Sequence, residues 1–137
     1  MQSLKSLPLF GVILVMYMAV TAYFQYSLQS SFPMEIPLIT LKLPSKEFWI
    51  LYLRDVFVLI GLFTLFIEIL KSTSSSNKQV VEHILSTFVF IFYMIAFLMA
   101  PMAANSTFLI LCMMSLIDVV AGFSISIAAA RRDLSVG

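Results

Sequence analysis

Four apolar runs, at residues 7–28, 48–70, 80–100 and 107–130, constrain this chain more than any other feature. A helix crossing the hydrocarbon core needs roughly 20 apolar residues, and in lipid it must satisfy its backbone polar groups internally. The runs take up most of the 137 residues, leaving little for a separate soluble domain. The expected fold is one all-α membrane domain: a four-transmembrane-helix bundle, up-down-up-down. Composition agrees, with 61% hydrophobic and 11% charged residues and a mean hydropathy of +1.05. Soluble domains carry about 25% charged residues.

The breaks between runs define the loops. Tyr23, Gln25 and Tyr26 make an aromatic, polar rim at the end of the first run, suited to the headgroup level. The loop 29–47 carries Pro33, Pro37 and Pro44, which exclude a helix. Ile36, Leu38, Ile39, Leu41 and Leu43 make this loop apolar, so it lies on the bilayer surface or on the helix ends, with room for an extended segment at 38–43. Trp49 and Tyr52 open the second run, Lys71 closes it, and a polar connector covers 72–79. A short turn at 101–106 joins the third and fourth runs.

Lys5 before an apolar run has the look of a signal peptide, with Val20-Thr21-Ala22 as a poor cleavage site. Because the apolar character continues through Tyr23, Phe24 and Tyr26, the run reads as a retained span. Lys5, Lys71, Lys78, Arg131 and Arg132 fall on one side, against Lys42, Lys46 and Arg54 on the other. The positive-inside rule then puts both termini in the cytoplasm and the proline-rich loop outside, in the periplasm of a bacterium.

Asp118 is the strongest candidate for chemistry, lying midway along the fourth run. A carboxylate at such a position costs on the order of 2.5–3.5 kcal/mol on insertion scales, so it is expected to face partners inside the bundle. If the third and fourth helices fold back about residue 103, Ser86 and Thr87 stand within about one turn of Asp118, with His83 further along. Two readings stand: a protonatable site in a proton or cation path, or a hydrogen-bonded residue tying helices together. Arg54 and Asp55, just inside the start of the second run, read as an interfacial charge pair. The alternatives for Arg54 are reaching inward to Asp118 or holding an anionic headgroup.

Glu68 and Glu82 flank the connector near Arg131 and Arg132, which suggests a salt-bridged cytoplasmic collar. Gly122, Ser126 and Ala130 form a small-residue face at i, i+4, i+8, and Ser124 and Ala128 repeat the spacing on a second face. Such faces let helix backbones approach closely in lipid. One face suffices within the bundle, and two invite a contact with another chain. The Phe, Leu, Ile and Val of the second and third runs read as a lipid-facing exterior, with a lipid or quinone groove as the alternative.

Much chemistry has no residues to carry it. One cysteine, Cys112, and one histidine exclude Cys/His metal clusters and an internal disulfide. A haem would need a methionine as its second axial ligand. Phosphate loops, Ser/His/Asp sets and redox CxxC motifs are missing, and a net charge of +1 gives no electrostatic case for nucleic acid. No enzyme, metal or cofactor is expected.

Three segments, 66–73 (FIEILKST), 114–123 (MSLIDVVAGF) and 130–133 (ARRD), resemble a family of small four-span inner-membrane proteins of proteobacteria. That resemblance implies fold and location and carries no mechanism. Small multidrug transporters carry a Glu in the first span and microsomal glutathione transferases an Arg-rich site; this chain has neither. Three functions remain: an accessory or assembly subunit of a membrane complex, a homo-oligomeric channel or proton-coupled carrier built on Asp118, or lipid or quinone binding between helices. The expected partners are membrane lipid and other membrane chains, or further copies of this one.

Overall fold

The computed structural model describes residues 7–29, 33–73 and 79–136. Lys5, Lys78, residues 30–32 of the proline-rich loop and most of the connector 72–79 lie outside the described residues. Four helices carry the fold: α1 (Leu9–Ser27), α2 (Leu53–Ser72), α3 (Gln79–Met99) and α4 (Ser106–Val136). Among the described residues three helical segments, Leu9–Ser27, Val80–Met99 and Ser106–Ser135, are long and apolar enough to cross a membrane. Helix α2 differs in carrying Arg54, Asp55, Glu68 and Lys71.

Between α1 and α2 the chain makes a 3-10 turn (Pro33–Glu35) and then an antiparallel hairpin, β1 (Pro37–Lys42) with β2 (Phe48–Tyr52). The expected second span therefore starts later than residue 48. Phe48, Trp49, Ile50, Leu51 and Tyr52 are aromatic or apolar residues that suit a strand, and β1 supplies their partner. The helix begins where the Asp55 carboxylate accepts the Tyr52 backbone N–H at 2.9 Å. At the other end, α4 runs past the expected limit of residue 130 to Val136, since no glycine or proline stops it.

Helix α4 packs most extensively, along α2 on one side and α3 on the other, and α1 lies against α2 and α3. Helices α3 and α4 are antiparallel across a tight turn at Pro101–Ala103. Helices α2 and α4 run the same way, since Gly61 faces Leu111 and Met114 while Ser72 faces Gly122. Gly61 makes this approach close: a Cβ there would stand 2.7 Å from Leu111 Cδ2 and 2.8 Å from Met114 Sδ.

The core joins all four helices near the hairpin end. Tyr17 meets Phe57 and Phe108 edge-on, each with ring centroids 5.1 Å apart, and Tyr93 packs on Phe108 at 5.3 Å. Tyr17, Tyr93 and Phe108, with Leu111 and Cys112, are fully enclosed. Edge-to-face pairs add about 0.5–1.5 kcal/mol each beyond the burial of their area. Both tyrosine hydroxyls are satisfied, Tyr93 donating to the Phe10 carbonyl at 3.0 Å and Tyr17 to Asn105 Oδ1 at 2.9 Å. The outward faces of α2 and α3 expose Leu62, Phe63 and Phe66, and Phe88, Phe92 and Ile95.

Candidate functional site

Two polar sites stand at different depths, separated by the aromatic core. The deeper one gathers charged and hydroxyl side chains of α2, α3 and α4 inside apolar helices. Asp118 lies about 18 Å along α4 from Ser106 and is only 5% exposed. Its carboxylate lies beside Ser86 of α3 and feels the charges of Glu68 and Lys71 on α2. Its Oδ2 is buried with no hydrogen-bond partner. Ser115, one turn earlier on the same face, also has a buried hydroxyl without a partner.

Glu68 is the best-connected group of this cluster. It is buried, and its carboxylate takes Lys71 Nζ at 3.1 and 3.3 Å. Its Oε1 also accepts the backbone N–H of Leu9, the first residue of α1, at 2.9 Å. The first N–H groups of a helix have no intrahelical acceptor and carry the positive end of its dipole. Pro8 offers no side-chain cap, so a carboxylate from α2 does that work. Residue i,i+3 spacing brings Lys71 onto the same face.

His83 occupies the rear of the site. Its Nε2 shares a 2.7 Å hydrogen bond with Ser126 Oγ, and its ring stacks at a tilt on Phe123. Gly122 makes room for it, since a Cβ there would lie 2.6 Å from Cε1 and 2.7 Å from Nδ1 of the imidazole. The small-residue face at Gly122 and Ser126 is thus used within the chain, by α3 and by Ser72 of α2. Ala130, and Ser124 and Ala128 on the second face, remain exposed.

Asp118, Ser86 and His83 therefore share one buried region. Thr87 does not join them: its hydroxyl donates to the His83 carbonyl at 2.8 Å, along its own helix. The collar does not form as expected. Glu68 turns inward to Lys71 and Leu9, whereas Arg131 and Arg132 are exposed and enter none of the ion pairs among the described residues. Glu82 is half-buried and reaches His83 only through its charge. No group of three or more metal-ligating side chains forms among the described residues.

The second site is a cavity of about 430 Å³ at the hairpin end. It lies between α1, the Pro33–Glu35 turn, the start of α2 and the start of α4. Arg54 stands there, 3.7 Å from both Glu35 and Asp55, with its guanidinium over the Tyr52 ring. It faces the hairpin end and not Asp118. Asn105 organises the wall: its Oδ1 caps α4 through the Phe108 N–H at 3.0 Å while accepting from Tyr17, and its Nδ2 donates to the Met102 carbonyl at 3.1 Å.

Asn105 and Glu68 were both visible in the sequence without their roles. An Asn directly before an apolar helix is a capping signal, and it marks Asn105. Nothing local marks Glu68, whose partner is the start of another helix. No family model, curated protein or solved structure matches this chain.

Proposed function

We propose that this chain is a small polytopic membrane protein whose four helices all cross the bilayer, with both termini in the cytoplasm, acting as a non-enzymatic accessory or assembly subunit. For α2 the support is the placement of its charges. Arg54 and Asp55 lie in its first turn at the interface, and Glu68 and Lys71 neutralise each other at 3.1 Å. The twelve residues between them, 56–67, are uncharged. Orientation rests on the lysine and arginine balance, and a bacterial inner membrane on the resemblance of three segments.

The observation that carries the subunit reading is the closed interior. Tyr17, Tyr93, Phe108, Leu111 and Cys112 are fully buried between the hairpin-end cavity and Asp118, so water has no route through a single chain at that level. Below them Glu68 pairs with Lys71 and the Leu9 N–H, and His83 pairs with Ser126. What the molecule offers to others is its outer surface, including the exposed Ser124/Ala128 face of α4 and the hairpin. The test is the mass of the purified assembly in native membrane discs, with co-purifying chains identified. A stable complex with another chain supports the reading; a clean homo-oligomer overturns it.

One observation favours a second reading, a proton-coupled carrier or channel formed by several copies. Asp118 keeps one buried oxygen without a partner, as a group awaiting a proton or cation does. Asp118→Asn then abolishes ion flux in liposomes while leaving the fold intact. In an accessory subunit the same change leaves any flux untouched and alters stability alone.

A further inference from the structure

We propose that the cavity at the hairpin end binds a phosphoethanolamine group, an anionic phosphate next to an ammonium, as carried by a zwitterionic phospholipid. The cavity's 430 Å³ lies in the range of about 300–1,000 Å³ that small-molecule sites occupy. Its attraction for an anion has two sources. Arg54 lines it, and so do Ser106 and Thr107, the first two residues of the 31-residue helix α4. Asn105 caps the third N–H of that helix; the first two N–H groups have no intrahelical acceptor and form the positive end of its dipole.

An independent sign of a ligand comes from Thr21. It lines the same cavity, is 3% exposed, and its Oγ1 has no hydrogen-bond partner, the neighbouring Tyr17 hydroxyl giving its hydrogen to Asn105. A buried hydroxyl left unsatisfied costs about 1–3 kcal/mol, and a phosphate oxygen removes that cost.

The charges select a zwitterion over a plain anion. Around Arg54 stand two carboxylates, Glu35 and Asp55. Asp55 is committed to the Tyr52 N–H. Glu35 is more than half exposed and 3.7 Å from Arg54, a contact loose enough to exchange at little cost. With Arg54 turned to phosphate, Glu35 needs a cation, and an ammonium two carbons from the phosphate supplies it. Met34 and Met102 give the cavity an apolar wall, suited to a glycerol backbone. This inference uses the membrane reading only in taking the hairpin end to be an interface.

The protein, purified in mild detergent, is titrated with phosphatidylethanolamine and, separately, with phosphatidylglycerol, and adducts are counted by native mass spectrometry. Wild type is expected to retain phosphatidylethanolamine preferentially. Arg54→Gln weakens that retention about tenfold, the worth of one charge-assisted hydrogen bond. Glu35→Gln, on an exposed side chain that folding tolerates, removes the preference over phosphatidylglycerol while leaving phosphate binding. Equal retention of both lipids by wild type, or an unchanged preference in Glu35→Gln, overturns the proposal. Free phosphoethanolamine is added as a competitor: displacement makes the source a soluble solute, and none makes it the lipid, the headgroup chemistry holding in both cases. Binding of the free compound does not require that all four helices cross a bilayer, so its outcome separates this proposal from the four-span reading.

Discussion

Gly122→Ala tests the claim that the small-residue face of α4 is occupied from within the chain. The new Cβ would lie 2.6–2.7 Å from two atoms of the His83 ring, and the ring is pinned between Phe123 and Ser126. Overpacking of this kind costs about 1–3 kcal/mol, and losing the interhelical hydrogen bond adds about 0.6 kcal/mol. Against this, alanine gains up to about 1 kcal/mol over glycine in a helix interior. The net expectation is a loss of about 1–2 kcal/mol. In a His83→Ala background the obstacle is gone, so the same substitution becomes neutral or stabilising by up to about 1 kcal/mol. A double-mutant cycle, read by equilibrium unfolding in detergent, should give a coupling of about 2 kcal/mol. Equal effects in the two backgrounds, within about 0.5 kcal/mol, would refute the reasoning. They would place the crowding at Gly122 against another chain.

Further substitutions probe the other contacts. Glu68→Ala removes the partner of Lys71 and the acceptor of the Leu9 N–H; it should cost about 3 kcal/mol or more, with Glu68→Gln costing less because its amide oxygen still caps α1. Amide exchange at residues 9–12 should rise in Glu68→Ala and stay low in the glutamine variant. Tyr17→Phe deletes one hydrogen bond to Asn105 and should cost about 1 kcal/mol in thermal unfolding. Asn105→Ala also loses the α4 cap and should cost about 2 kcal/mol; equal losses in these two variants would show that the cap contributes nothing. Trp49, the one tryptophan, lies 44% exposed on a hairpin face with Ile39, Leu41 and Leu51. Its emission in liposomes should be blue-shifted and quenched by lipids brominated near the headgroup; water-like emission would mean that the hairpin stands clear of the bilayer.

Hydropathy alone located α1, α3 and α4, because a long apolar run with few charges has few alternatives to a helix in lipid. It misplaced the start of α2, since Phe48–Tyr52 is as apolar as the helix after it and only pairing with Pro37–Lys42 makes it a strand. That pairing is a tertiary fact. The meeting of Asp118 with Ser86 was legible because two helices joined by a short turn align by counting from the turn. Glu68 was not legible, as its role depends on where α1 begins relative to α2. The small residues of α4 showed that something approaches closely, without showing whether it belongs to this chain; His83 and Ser72 answer that for Gly122.

The contact between Glu68 and Leu9 also explains why α1 can begin so deep. Leu9 stands level with Glu68, and α2 continues to Lys71 and Ser72 beyond it. Uncapped N–H groups inside an apolar environment cost several kcal/mol each, and a lone buried carboxylate costs as much or more. Here each removes much of the other's cost, and Lys71 balances the charge. Such a joint is stable only while its parts stay together, which makes the deeper end a fixed point of the bundle. The hairpin end is built differently: Arg54 and Glu35 are loosely paired and partly exposed where they line the cavity. Exchange of the proposed headgroup therefore belongs at the hairpin end, where the side-chain contacts are loose. At the deeper end Glu68 ties α2 to α1 and His83 ties α3 to α4 by direct hydrogen bonds.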